Sequence, residues 1–218
     1  MKKTISNVVD FPHDGQAIRF IACFVSMLMR AEGITDTRMH PMLYDLYTAV
    51  TGFGFLQAAA SIEDNQASNV MLREFDWYIG FAMDYAGYEF EELCFPQDKK
   101  DLALSKIKSS VDKDLPMLAV FSGKYHWQLI TGYDDEGTLY GLDGSQGFWG
   151  KPEPAPAGYD ENGLFVMPDW YEKGGHIFVL GEKKAPAVTM RDVFTRGARI
   201  MKYMKPARRR KRLKDFLG

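Results

Sequence analysis

The segment Tyr125-His126-Trp127-Gln128-Leu129-Ile130-Thr131-Gly132-Tyr133-Asp134-Asp135-Glu136-Gly137-Thr138-Leu139-Tyr140-Gly141-Leu142-Asp143 constrains the fold more than any other part of the chain. Two runs rich in aromatic and β-branched side chains flank Asp134 to Gly137, whose residues have the chemistry of a tight turn. The pattern predicts an antiparallel hairpin with strands over 125–133 and 138–143. If Asp135 and Glu136 form the loop, Asp134 pairs with Gly137, and Asp143 falls opposite Gln128. Asp143 then shares a sheet face with His126, about 7–8 Å away along the diagonal, a gap a carboxylate can span. A slip of one residue would move Asp143 to the other face, so the pairing needs an even offset across the turn. A histidine opening one strand and an aspartate closing the next can present an oriented imidazole to a nucleophile. The plainer reading is an edge histidine and a solvated strand-end aspartate.

A nucleophile would have to be Cys23. From Gln16 to Glu32 nearly every position is apolar except Arg19, Ser26 and Arg30, which predicts a helix buried around most of its circumference. Arg19, Cys23, Ser26 and Arg30 recur at helical spacing, so Cys23 sits on the one face that carries polar groups. The plainer reading of Cys23 is a small buried hydrophobe. Gly33 ends the helix. Further helices are predicted over 39–50, 69–85 and 100–113, the last stopped by Asp114-Leu115-Pro116 before a strand at Met117 to Phe121. The glycines and prolines between Gly144 and Pro168 predict a long surface excursion without regular structure. A strand follows over 176–183, and then a helix over 189–204 with Thr189 as N-cap and Asp192 three positions on. Helices come first and strands afterwards, with no internal repeat.

With 218 residues and 46 % hydrophobic content, the chain can bury a substantial core, and one domain over 1–204 is expected. No apolar run is long enough to cross a bilayer and no apolar secretory region follows Met1, so no integral membrane segment and a cytoplasmic location are expected. Cys23 and Cys94 lack metal-binding or redox spacing, and no pair among His13, His40, His126 and His176 has the spacing of a metal site. Neither a metal nor a cofactor is therefore expected. Cys94 follows Glu91 and Glu92, which would raise a thiol pKa, so its expected role is structural. His13 and His40 are expected in loops and His176 at a strand edge.

The net charge of −2 conceals an asymmetry: residues 205–218 hold Lys205, Arg208, Arg209, Arg210, Lys211, Arg212 and Lys214 against Asp215. This basic C-terminal tail is either a solvated end or a patch for an anionic partner such as lipid, nucleic acid or an acidic carrier protein. Nucleic-acid binding is the weaker function class, because the body is acidic and no recognition motif appears.

Several of these pieces resemble one family. Asp114-Leu115-Pro116-Met117-Leu118-Ala119-Val120, then His126-Trp127, Gly132-Tyr133-Asp134-Asp135 and Asp143, resemble the second half of bacterial C39-like and butirosin-biosynthesis-H-like papain-fold domains. Cys23 to Ile34 is similar to their nucleophile helix, and Pro168-Asp169-Trp170 and Gly181-Glu182-Lys183 are similar to pieces of the butirosin-type group. The resemblance implies an α+β papain-like fold, an N-terminal helical half packed on a C-terminal antiparallel sheet with the active groove between them. It implies a cysteine peptidase, amidase or other hydrolase, or an acyltransferase. In that scheme Cys23 attacks an amide or acyl-thioester carbonyl, His126 takes its proton, Asp143 orients His126, and the Gln16 side chain with the Cys23 amide holds the oxyanion. For the butirosin type the acyl donor is an acyl carrier protein. Phe24 stands where the family has a small residue, and the distance from Cys23 to Gly33 is shorter than the family's, which reaches back to Phe20. Gln16 also lies one residue further from Cys23 than the family's glutamine does. A papain-fold domain without catalysis, binding a peptide or carrier protein in the same groove, is the alternative.

Overall fold

The computed structural model describes residues 1–9, 19–55, 78–95, 99–121, 127–142 and 158–203. Among these residues the elements are β1 (Lys3–Thr4), α1 (Arg19–Ala31), α2 (Met39–Thr51), a 3-10 turn (Phe53–Phe55), α3 (Tyr78–Ala86) and β2 (Tyr88–Cys94). They continue with α4 (Lys100–Asp112), β3 (Met117–Phe121), β4 (Trp127–Tyr133), β5 (Leu139–Leu142), β6 (Phe165–Met167), β7 (Gly175–Lys183) and α5 (Met190–Tyr203). The class is mixed α+β. Contacts divide the chain into two units, Met1–Tyr44 with Glu89–Glu182 and Asp45–Tyr88 with Lys183–Gly218.

The first unit is built on an antiparallel sheet of the seven described strands, ordered β2-β7-β3-β4-β5-β6, with β1 also pairing with β4. Strand alternation decides which helix each face meets. The partners Val120↔Trp127 and Leu118↔Leu129 turn to the α1 side, and Ala119↔Gln128 and Met117↔Ile130 turn to the α4 side. On the α1 side Phe20 meets the Trp127 ring edge-on at 5.0 Å, and Trp127 meets Phe178 at 5.8 Å. On the other side Ala103, Ile107 and Val111 of α4 pack with Met117, Ala119, Phe121, Ile130 and Ile177. Every residue of α1 from Phe20 through Met29 is buried, as its apolar circumference predicts. The helix closes in a Schellman turn: Gly33 has φ +67°, and the Ile34 N–H donates to the Met29 carbonyl at 2.8 Å.

In the second unit, aromatic pairs join the elements: Tyr47 meets Tyr85 edge-on at 5.9 Å, and Phe53 meets Tyr78 at 5.2 Å. The Arg196 guanidinium lies 4.7 Å from the Phe81 ring centre. Gly197 of α5 is so close to Phe55 that a Cβ would stand 2.5 Å from the ring. The predicted cap of α5 is present: the Thr189 N–H donates to Asp192 Oδ2 at 2.8 Å, and the Asp192 N–H donates to Thr189 Oγ1 at 3.4 Å.

Four local expectations differ from the structure. The hairpin loop holds three residues rather than two, because the Asp134 N–H donates to the Thr138 carbonyl and Gly137 takes φ +83°. A bulge between Ile130 and Gly132 then offsets the extra residue, so Leu129 pairs with Leu142, the register predicted from the two-residue loop. The stretch up to Pro168 is not wholly irregular: Asp160 to Leu164 forms a second turn of the same Asp-x-x-Gly kind, and the apolar Phe165-Val166-Met167 pairs with β5. The order of helices before strands is broken by β1 and β2. His40 is no loop residue but a buried one on α2, its Nε2 3.3 Å from the Ala22 carbonyl oxygen.

Candidate functional site

Cys23 lies in α1 with 0 % of its surface exposed. Phe20 precedes it by one turn and ties the helix to Trp127. Ser26 follows by one turn, and among the described residues its buried Oγ has no hydrogen-bond partner. The polar stripe is thus real, but its two central members are enclosed rather than open to water. At its far end Arg30 pairs with Asp114 at 3.3 Å. Neither Cys23 nor Cys94 is in a disulfide.

The other proposed members, His126, Asp143 and Gln16, lie outside the described residues, as do His13 and the tail over 205–218. One chain neighbour each of His126 and Asp143 is described. Trp127 opens β4 on the α1 side, and Leu142 closes β5 opposite Leu129. Gln128 is 3 % exposed on the α4 side, and its Oε1 has no partner among the described residues.

The hairpin that carries these positions is held at its turn by charge. Asp134 Oδ1 accepts the N–H groups of Glu136 and Thr138 at 3.0 and 2.9 Å, and Oδ2 accepts the Tyr140 hydroxyl at 2.8 Å. Burial works against this carboxylate, but the donated hydrogen bonds win and hold Asp134 below the usual carboxylate range. The same contact, added to burial, pushes the Tyr140 phenol up to about 12. Lys2 covers the Tyr140 ring 4.2 Å from its centre and pairs with Asp160 of the second turn. Trp170, fully buried, donates its Nε1–H to the Gly137 carbonyl at 2.9 Å and so joins the segment after β6 to the first turn.

A second cluster was not visible in the sequence. Glu92 and Cys94 alternate onto one face of β2, and His176 reaches them from the neighbouring β7. His176 Nδ1 lies 2.6 Å from Glu92 Oε1 and 3.4 Å from Cys94 Sγ, and the thiol lies 3.7 Å from the same carboxylate oxygen. The imidazole stacks on Phe178 at 6.4 Å, with 13° between the ring planes. Burial, followed by the Glu92 charge and hydrogen bond, pushes the Cys94 thiol up. A catalytic dyad would give the thiol and the carboxylate different ring nitrogens. Here both converge on Nδ1, which is the geometry of three donors around one point.

Compared with family models, curated proteins and solved structures, the chain finds no match in any of the three. Among the described residues no helix is long and apolar enough to cross a membrane.

Proposed function

We propose that the chain is a papain-like domain catalysing cysteine-dependent acyl transfer, with Cys23 as nucleophile, His126 as base, Asp143 as its orienting group and Gln16 as oxyanion donor. One observation carries this reading: α1, which bears Cys23, packs on β4, the strand that begins immediately after His126. Because Trp127 faces α1 and Gln128 faces α4, the pairing requires that the strand's alternation stop at Trp127 and not extend back to His126. The register of the hairpin adds support, since Leu129 faces Leu142 as the His126–Asp143 pairing requires. In this chemistry the Cys23 thiolate attacks the carbonyl carbon of an amide or acyl thioester after His126 accepts the thiol proton. The amine or thiol leaves with that proton, and the acyl group on Cys23 passes to water in a hydrolase or to an amine in a transferase. An acyl carrier protein is a fitting donor, and the basic tail, Lys205 to Lys214, offers positive charge to such an acidic partner.

The test is covalent trapping. The full chain is incubated with a small acyl thioester and its Cys23 and Cys94 peptides are weighed separately by mass spectrometry. Added acyl mass on the Cys23 peptide, absent in His126→Ala, is the expected result; acylation of Cys94 alone contradicts it.

A second reading is favoured by the complete enclosure of Cys23 and by Phe24 beside it, also fully buried. In it the same fold binds a peptide or carrier segment without chemistry. Both variants, Cys23→Ala and His126→Ala, then bind that partner as the parent does.

A further inference from the structure

The sequence suggests a structural role for Cys94, a strand-edge place for His176 and nothing for Glu92, yet the three present one sulfur, one nitrogen and one carboxylate oxygen to a common point. From the geometry we infer that Glu92, Cys94 and His176 form a site for a zinc-class divalent ion, with a fourth position open to water or another small ligand.

Ligand type and distance both carry this. Thiolate and imidazole select zinc and related borderline ions over magnesium or calcium, which take oxygen shells. Zinc holds sulfur at about 2.3 Å and nitrogen or oxygen at about 2.0–2.2 Å, so tetrahedral ligand atoms stand about 3.4–3.6 Å apart. The Cys94–His176 and Cys94–Glu92 separations, 3.4 and 3.7 Å, already match that triangle. Only the Glu92–His176 edge, at 2.6 Å, must open, because a hydrogen bond now occupies it. A rotation of the glutamate side chain suffices, since the side chain is 30 % exposed and its strand need not move.

The backbone supplies the preorganisation. Glu92 and Cys94 are fixed two residues apart on one strand, and His176 is held on the adjacent strand by its pairing with Val120 and its stack on Phe178. Metal entry displaces the Cys94 thiol proton to solvent and requires the neutral imidazole tautomer with Nδ1 unprotonated. All three groups lie at the surface on the β2 edge of the sheet. An ion therefore has access from solvent.

The experiment uses the full chain, reduced and stripped with a chelator, titrated with Co²⁺ as a spectroscopic stand-in for Zn²⁺. A thiolate-to-cobalt charge-transfer band saturating at one equivalent and abolished by Zn²⁺ is expected. Cys94→Ser should lose that band, and His176→Ala and Glu92→Gln should weaken binding by more than about tenfold. Circular dichroism of the metal-free variants checks that they keep the fold. Independently of any variant, Zn²⁺ but not Mg²⁺ should slow alkylation of the Cys94 peptide at least about tenfold, as a metal-held thiolate is shielded. No band in the parent chain, a band that survives Cys94→Ser, or unchanged Cys94 alkylation in Zn²⁺ overturns the assignment.

Discussion

Tyr140 shows how closely a single side chain is tied to the geometry around the hairpin. Its hydroxyl donates to Asp134 and its ring lies under Lys2, and burial with the Asp134 contact raises its pKa to about 12. The folded state therefore keeps this proton where an unfolded chain, with an ordinary phenol near about 10, has lost it. The resulting stabilisation is whole below about pH 10 and is lost as pH rises towards 12. Ultraviolet titration of the phenolates should show a late phase that loses one tyrosine in Tyr140→Phe and moves to lower pH in Asp134→Asn, while Tyr133, raised by its hydrogen bond to Asp112, keeps its own place in both variants. A Tyr140→Phe chain with an unchanged late phase contradicts the assignment. The predictive power of the sequence is uneven at this scale. Asp134 and Gly137 announce their turn through their own chemistry, and Thr189 and Asp192 announce a helix start. Cys94 and His176 announce nothing, because 82 positions separate them and only the adjacency of β2 and β7 brings them together.

Among the elements, the described helices were legible because their apolar spacing is long and regular, and β3, β4, β5 and β7 because β-branched and aromatic residues cluster between turn signals. The part of the helix predicted over 69–85 that precedes Tyr78 lies outside the described residues. Strand β2 was missed: Tyr88-Glu89-Phe90-Glu91-Glu92-Leu93-Cys94 carries three glutamates, which suit an edge strand and obscure its alternation. Leu93 alone of its exposed-looking run enters the core shared with α4, while Glu91 pairs with Lys106. The bulge in β4 was also beyond the sequence, since its effect cancels that of the longer turn. Gly141 is the position where the hairpin tolerates least. A Cβ there would stand 2.1 Å from the Leu129 carbonyl oxygen and 2.7 Å from the Phe165 ring, and the backbone oxygen cannot step aside. Gly141→Ala should cost about 1–3 kcal/mol or more in denaturant unfolding. Gly33→Ala meets no atom within 4 Å, so only its left-handed φ opposes it and its cost should be smaller, about 1 kcal/mol. Equal costs at the two positions would contradict the packing described for β5.

For the whole molecule the dominant electrostatic feature is the contrast between an acidic body and a basic C-terminal tail, both read from the sequence. An attraction carried by the tail must fade with salt, since screening shortens from about 30 Å at 0.01 M to about 8 Å at 0.15 M ionic strength. The full chain should bind an acidic acyl carrier protein at low salt and lose affinity steeply as salt rises, and a chain ending at residue 204 should not bind. Salt-independent binding, or binding unchanged by truncation, would show that the tail is not the contact. The α+β class was legible because helical and strand periods occupy separate stretches, whereas the division into two units was not, since each unit draws on two distant segments. Whether Cys23 is a nucleophile is decided by alkylation with iodoacetamide when the Cys23 and Cys94 peptides are followed separately from about pH 5 to 9. As a nucleophile, Cys23 in the folded chain should react with a midpoint well below the ordinary thiol value of about 8.5, and His126→Ala should remove this reactivity. A Cys23 that stays unlabelled across the range while Cys94 labels at alkaline pH would contradict it and leave the non-catalytic binding domain.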